Sequence, residues 1–137
     1  MEKDIIRELI KQALAARKNS YAPYSRFRVG AALLDDRGRV FTGVNVENAS
    51  YPAGLCAERG AVAKAISEGA AGFRAIAIVG GPDHEGDALS SYCPPCGICR
   101  QVLSEHCGKE MQVILARTPD DYSIYQLCEL LPLSFSL

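Results

Sequence analysis

Ile5, Ile6, Leu9, Ile10, Ala13 and Leu14 recur at helical spacing and predict an amphipathic helix from about Asp4 to Arg17. Lys3, Arg7, Lys11, Arg17 and Lys18 mostly fall off that stripe and read as its solvated face. Asn19 and Ser20 break the pattern, and Ala22-Pro23 forces extended or turning backbone. The period then changes. Val29 to Leu34 and Arg39 to Val44 read as strands, joined by Asp35-Asp36-Arg37-Gly38, a hairpin turn with Gly38 free to take positive φ. Val44 to Leu55 is loop-like, carrying Asn45, Asn48, Pro52 and Gly54. A helix is predicted from about Cys56 to Glu68, stopping at Gly69, and Ala75 to Val79 suits a buried strand.

Gly80 to Pro95, rich in Gly, Asp, Ser and Pro, reads as the longest irregular segment, of a length that often serves binding. Pro95 suits the first turn of the next helix, Cys96 to Cys107, which ends at Gly108. Gln112 to Ala116 reads as a strand, Tyr122 to Tyr125 as a last one, and Gln126 to Leu131 as a short helix ended by Pro132. Helix, hairpin and two helix–strand units predict a layered α/β domain with helices packed on a mixed sheet. One domain over residues 1–137 accounts for the whole length.

Composition changes this picture only by exclusion. Fifteen basic residues are scattered and the net charge is −1, so no basic stripe marks a nucleic-acid partner, and a small-molecule substrate is favoured. No apolar run approaches the ~18 residues that span a bilayer. The first residues show neither a basic segment leading into an apolar run nor a cleavage site, so the expected location is cytoplasmic. Six cysteines in that setting argue for reduced thiols, hence metal binding or catalysis.

Two segments carry the chemistry: Cys56-Ala57-Glu58-Arg59 and Pro95-Cys96-Gly97-Ile98-Cys99-Arg100-Gln101. Each opens a predicted helix after a loop. Cys96 and Cys99, three apart, share one face of a first turn, and Cys56 can join them around one ion. Three protein ligands with an open fourth position describe a catalytic zinc site. Three thiolates outweigh the charge of Zn²⁺; two helix N-termini and the Arg59 guanidinium oppose that excess. Glu58 is the nearest proton carrier, although periodicity alone does not aim it at the metal. Cys93-Pro94-Pro95-Cys96 is an overlapping C-x-x-C that fits a redox pair, but that reading leaves Cys56, Glu58 and Cys99 unexplained. Cys93 reads as a loop bystander, and Cys107 and Cys128 as packed thiols.

The pairing of Cys-Ala-Glu with Pro-Cys-x-x-Cys is similar to the zinc nucleobase-deaminase signature, with Cys in place of its first His. Tyr21 to Phe27, Val29 to Leu33, Asn45 to Tyr51, and Leu130-Leu131-Pro132 with Phe135 extend the likeness over most of the chain. Together they resemble the short, homotetrameric cytidine deaminases. The resemblance implies a three-layer α-β-α sandwich with a mixed sheet of about five strands, one Zn²⁺ per chain on Cys56, Cys96 and Cys99, and a homotetramer. It implies that zinc-bound hydroxide attacks C4 of cytidine or deoxycytidine while Glu58 shuttles protons to N3 and to the departing ammonia, as in pyrimidine salvage. It further implies that Asn45 and Glu47 read the ribose 3′-hydroxyl, Phe27 packs on base or sugar, and the Ala57 backbone holds the base. Tyr51 and Phe135 are brought toward an active site of the assembly, and Arg59 supports the sulfurs. Departures are the long Gly80–Pro95 segment, Cys93, and Leu133-Ser134 before the last aromatic. Deamination of another cytosine-bearing small molecule such as blasticidin S, polynucleotide editing and a non-catalytic zinc module are the competing readings.

Overall fold

The computed structural model describes residues 1–137. Its elements in chain order are α1 (Lys3–Arg17), β1 (Phe27–Asp35), β2 (Val40–Val44), a 3₁₀ turn (Tyr51–Ala53), α2 (Ala57–Ser67), β3 (Phe73–Pro82), α3 (Gly97–Cys107), β4 (Gln112–Thr118), β5 (Asp121–Gln126) and α4 (Leu127–Leu130). The five strands form one mixed sheet in the order β2-β1-β3-β4-β5. β3 and β4 are parallel; the other neighbours are antiparallel. The parallel pair needs a crossover, and α3 supplies it.

Burial of both sheet faces explains the near-continuous apolar runs of the central strands. Ala31, Leu33, Ile76, Ile78, Val113 and Leu115 face one layer, where they pack with Ala57, Ala61 and Ala65 of α2 and Leu103 of α3. The alternate residues Ala32, Leu34, Ala75, Ala77, Val79, Ile114 and Ala116 face the other, covered by Ile6, Leu9, Ile10, Ala13 and Leu14 of α1. The expected three-layer α-β-α sandwich is therefore present, with α1 alone on its face and α2 and α3 together on the other.

Two close approaches fix the helices against the sheet. A Cβ on Gly43 of β2 would stand 2.3 Å from the Ala57 carbonyl oxygen and 2.4 Å from the Ala61 nitrogen, so α2 lies directly on the strand. A Cβ on Gly30 of β1 would stand 2.1 Å from the Ala13 carbonyl oxygen, so α1 does the same on the opposite face.

Three differences from the sequence reading bear on function. β3 runs on to Pro82, because β1 begins at Phe27 and pairs with it residue for residue there. The irregular segment is therefore Asp83 to Cys96, shorter than the pattern suggested. β5 is the expected last strand but runs one residue further at each end than Tyr122 to Tyr125, paired along β4. Arg17 does not belong to the solvated face: it is 4 % exposed and its guanidinium is wrapped by backbone carbonyls of β1, β3 and the segment after β3.

Gly43→Ala should cost about 1–3 kcal/mol of stability, since neither the β2 backbone nor the α2 backbone can give way cheaply. Thermal melts should show a fall of several degrees for Gly43→Ala, and none for Gly86→Ala, where an added Cβ meets nothing within 4 Å. An unchanged Gly43→Ala melt would contradict the close α2–β2 contact.

Candidate active site

α2 follows the loop after β2, and α3 follows the segment after β3, so both helices start at the same end of the sheet. Cys56 is the N-cap of α2 and Cys96 the N-cap of α3, both in extended backbone conformation. Both helices therefore begin one residue later than predicted, just after the cysteines. Cys99 sits within the first turn of α3 and is fully buried. The three Sγ atoms lie within 4.8 Å of one another, and those of Cys56 and Cys96 are 3.8 Å apart. Tetrahedral Zn–S bonds of about 2.3 Å place two sulfurs ~3.8 Å apart, so the donor set and its spacing fit zinc.

Electrostatics agrees with an anion-binding pair of helix starts holding sulfur. The Cys56 thiol is drawn down to about 5, chiefly by hydrogen bonding with Cys99, with Arg59 and Cys96 adding to it. Arg59 Nη2 donates to Cys56 Sγ at 3.4 Å. Cys99 is pushed up, because Cys56 beside it takes the first negative charge and because it is buried. One thiolate, that of Cys56, is thus favoured by the protein alone.

Glu58 is 4 % exposed and lines the same cavity as Cys56 and Cys96. Residues two apart diverge on a helix, which is why the sequence left its direction open. The structure resolves the matter through the N-cap: Cys56 has φ −78° and ψ 153°, so the helical rotation starts only after it. Burial pushes the Glu58 carboxyl up to about 7, and the negative charge on Cys56 pushes the same way.

The cavity has a volume of about 360 Å³, and Asn45, Glu47, Ala57 and Glu58 are among its lining residues. Ala57 is the first residue of α2, where a backbone N–H has no acceptor within its own helix. Asn45 Oδ1 accepts from Val29 N at 2.8 Å and from the Ser20 hydroxyl, and its Nδ2 donates to the Phe27 carbonyl at 2.8 Å. Glu47 accepts from Tyr24 N at 3.0 Å, Ser25 N at 3.1 Å and the Ser25 hydroxyl. Those bonds, the Ser25 hydroxyl first, hold its carboxyl below the usual carboxylate range. Tyr51 reaches the rim and is 83 % exposed.

Phe27 and Phe135 do not line the cavity within one chain. Phe27 is half-exposed at the start of β1, and Phe135 is 68 % exposed, its carbonyl accepting from Gln101 Nε2. Cys93 is not a bystander. It lines the cavity with Pro94, and its Sγ would lie 2.7 Å from a Cβ on Gly80, where the Phe27 ring also approaches. Burial pushes its thiol up to about 11, helped by the negative groups Glu58, Cys56 and Cys96. It is outside the three-sulfur cluster and remains a neutral wall. Sequence reasoning missed this because Cys93 belongs to no helix whose phase could place it; its only signal was adjacency to Pro94-Pro95-Cys96. Cys107 is buried as expected, and Cys128 is half-buried.

No helix is long and apolar enough to cross a membrane. A family model described as the cytidine and deoxycytidylate deaminase zinc-binding region matches residues 3–115. A cytidine deaminase of Halalkalibacterium halodurans is 46% identical over 128 residues, 93% of this chain and 92% of that one. A cytidine deaminase of Sporosarcina psychrophila is 42% identical over 131 residues, 96% of this chain and 91% of the other. The crystal structure of a cytidine deaminase from Burkholderia pseudomallei superposes with a TM-score of 0.83 at 43% identity, covering 93% of this chain and 97% of that one. With two helix starts presenting three thiols to one point, and a match of this extent, the chain belongs to the zinc-binding cytidine and deoxycytidylate deaminase family.

Proposed function

We propose that this protein hydrolyses the exocyclic amine of cytidine and deoxycytidine, giving uridine or deoxyuridine and ammonia. The observation that carries the reading is the buried Glu58 carboxyl in a cavity that is also lined by Cys56 and Cys96 of a three-thiol cluster with no fourth protein ligand. A purely structural zinc site has no use for a buried carboxyl beside an open position.

Cys56, Cys96 and Cys99 hold the metal in this reading. Bound there, zinc supplies a water made acidic enough to act as a nucleophile near neutral pH. The remaining work falls to the chain. A carboxyl raised to about 7 both takes and gives a proton at physiological pH, so Glu58 is suited to protonate N3 of the pyrimidine and then the departing amine. Water and cytidine thus become uridine and ammonia, the Glu58 carboxyl returning to its starting state. Arg59 offsets the negative excess of the sulfurs through its bond to Cys56 Sγ.

Recognition of the nucleoside is assigned to Asn45 and Glu47 for the ribose 3′-hydroxyl, to the free N–H of Ala57 for the base, and to Phe27 for packing. Asn45 retains a second amide hydrogen after serving Phe27, and the ionised Glu47 is held rigid by Ser25 and Tyr24. A polar group fixed by backbone bonds reads a hydroxyl without the entropy cost of being ordered first. Val29, Val46 and Leu55 add apolar surface to the cavity, which suits a neutral nucleoside and offers nothing to a polyphosphate backbone.

A homotetramer is part of this reading. Tyr51 and Phe135 are large aromatics left 83 % and 68 % exposed, and Leu133 and Leu137 are wholly exposed, as expected of surfaces that neighbouring subunits cover. Six free thiols fit a reducing, cytoplasmic setting, and one sheet shared by both cores fits a single domain over residues 1–137.

Glu58→Gln should lower kcat for cytidine by roughly 10²–10⁴-fold while the purified protein keeps one zinc per chain. Turnover equal to the parent enzyme in that variant would remove Glu58 from the mechanism. Cys99→Ala should lose the metal, and Cys93→Ala should retain it, with elemental analysis separating the two. Light scattering on the parent protein should give the mass of four chains; a monomeric mass with full activity would refute the assembly.

A further inference from the structure

Arg17 makes five hydrogen bonds, and every acceptor is a backbone carbonyl. Its Nε donates to Arg28 O at 2.9 Å. Its Nη1 donates to Glu85 O at 3.0 Å and Gly86 O at 3.4 Å, and its Nη2 to Gly81 O at 2.9 Å and Pro82 O at 2.7 Å. A guanidinium has five N–H donors in a planar fork, so this one is fully satisfied. No ion pair accounts for its burial. What it binds is the path of the chain: the start of β1, the end of β3 and the turn that follows.

Those two strand ends carry the cavity walls. Arg28 lies between Phe27 and Val29, and Val29 lines the cavity. Gly81 follows Gly80, which is the register partner of Val29 and against which the Cys93 thiol rests, so Val29 and Cys93 are neighbours in the cavity lining. A second pin lies further on, where buried Leu89 exchanges backbone and side-chain bonds with Arg117: Leu89 N to Arg117 O at 3.1 Å, and Arg117 Nε to Leu89 O at 3.0 Å. The far half of the segment is therefore anchored without Arg17. The chemical groups Cys56, Glu58 and Cys99 sit on α2 and α3, which Arg17 does not touch.

We propose that Arg17 is a positioning residue for substrate: by gripping the carbonyls of Arg28, Gly81, Pro82, Glu85 and Gly86, it holds in place the stretch of cavity wall that Val29 and Cys93 form together and against which the nucleoside is held. The inference rests on the deaminase reading above. Lysine cannot replace the fork, because an ammonium has three donors in a pyramid and reaches a smaller set of carbonyls. Gly30 is the structural precondition, since its missing Cβ lets the last turns of α1 settle onto β1, where a Cβ would stand 3.0 Å from Arg17 Cβ.

The test is steady-state kinetics on cytidine with Arg17→Lys and Arg17→Met, each assayed well below its own melting temperature and with zinc measured on the same sample. Misplaced walls remove binding shared by ground and transition states, which raises KM and spares kcat. The expected result is a KM about tenfold higher, kcat within about twofold of the parent, and one zinc per chain. Glu85→Ala loosens the same turn from its half-exposed side by removing the Oε1 that accepts from Ser90 N at 3.1 Å, and should raise KM about threefold. It keeps the inference open to refutation if both Arg17 variants fail to fold. An unchanged KM in the variants that fold overturns the inference, as does loss of zinc and kcat at constant KM. A zinc-loaded parent protein that is inert on cytidine would instead overturn the proposed function.

Discussion

Everything at the active end depends on bringing three sulfurs of like charge within 4.8 Å of one another and keeping them there. Neutral thiols would tolerate this at little cost, but a working centre needs thiolates, and anions this close repel. The fold meets the difficulty by putting two helix N-termini at the cluster, with Cys56 and Cys96 as their caps. Helix starts carry partial positive charge and unpaired N–H groups, so they are the places on a backbone where sulfur anions are least costly. Arg59, one turn after Cys56, adds a full charge within 3.4 Å of the same sulfur.

That choice of N-caps has a second consequence. A residue before the first helical turn is free of the helical rotation, so Cys56 and Glu58 can share a cavity that a continuous helix would deny them. The two groups then act on each other. Burial raises the Glu58 carboxyl and the negative sulfur raises it further, which keeps a proton on a carboxylic acid near neutrality. In a family whose members remove an amine by hydrolysis, a buried acid that holds its proton is the component that a thiolate cluster cannot supply.

The sequence made the metal cluster legible because its signal is local. Cys96 and Cys99 share a turn, and the likeness of Cys-Ala-Glu with Pro-Cys-x-x-Cys to the zinc-deaminase signature joins Cys56 to them. The apolar runs from Val29 to Leu34 and Ala75 to Val79 likewise announced buried strands, and both are central to the sheet. What stayed hidden was non-local. Arg17 is one of several basic residues on an amphipathic helix, and nothing in that pattern says that β1 and β3 will end around its guanidinium. Cys93 became a wall only because β3 extends to Pro82 and presents Gly80 to it. Asn45 and Glu47 looked like loop polarity; the structure adds that their oxygens brace Val29, Tyr24 and Ser25. Tyr51 and Phe135 carry no signal of their own inside one chain, since their exposure acquires meaning only against a neighbour.

Two glycines connect these scales. Gly43 admits α2 to within contact of the β2 backbone on one face, which fixes the height of Cys56 and Glu58 above the sheet. Gly30 admits α1 on the other face, which brings Arg17 to the strand ends beneath the cavity. A methyl group at either position lifts a helix by more than the tolerance of a hydrogen-bonded site, which is a few tenths of an ångström to about 1 Å. The chemistry on the α2–α3 face and the walls held from the α1 face are therefore set by the same device. Registration of helix on sheet, rather than any single side-chain contact, keeps the carboxyl, the sulfurs and the nucleoside cavity in mutual position.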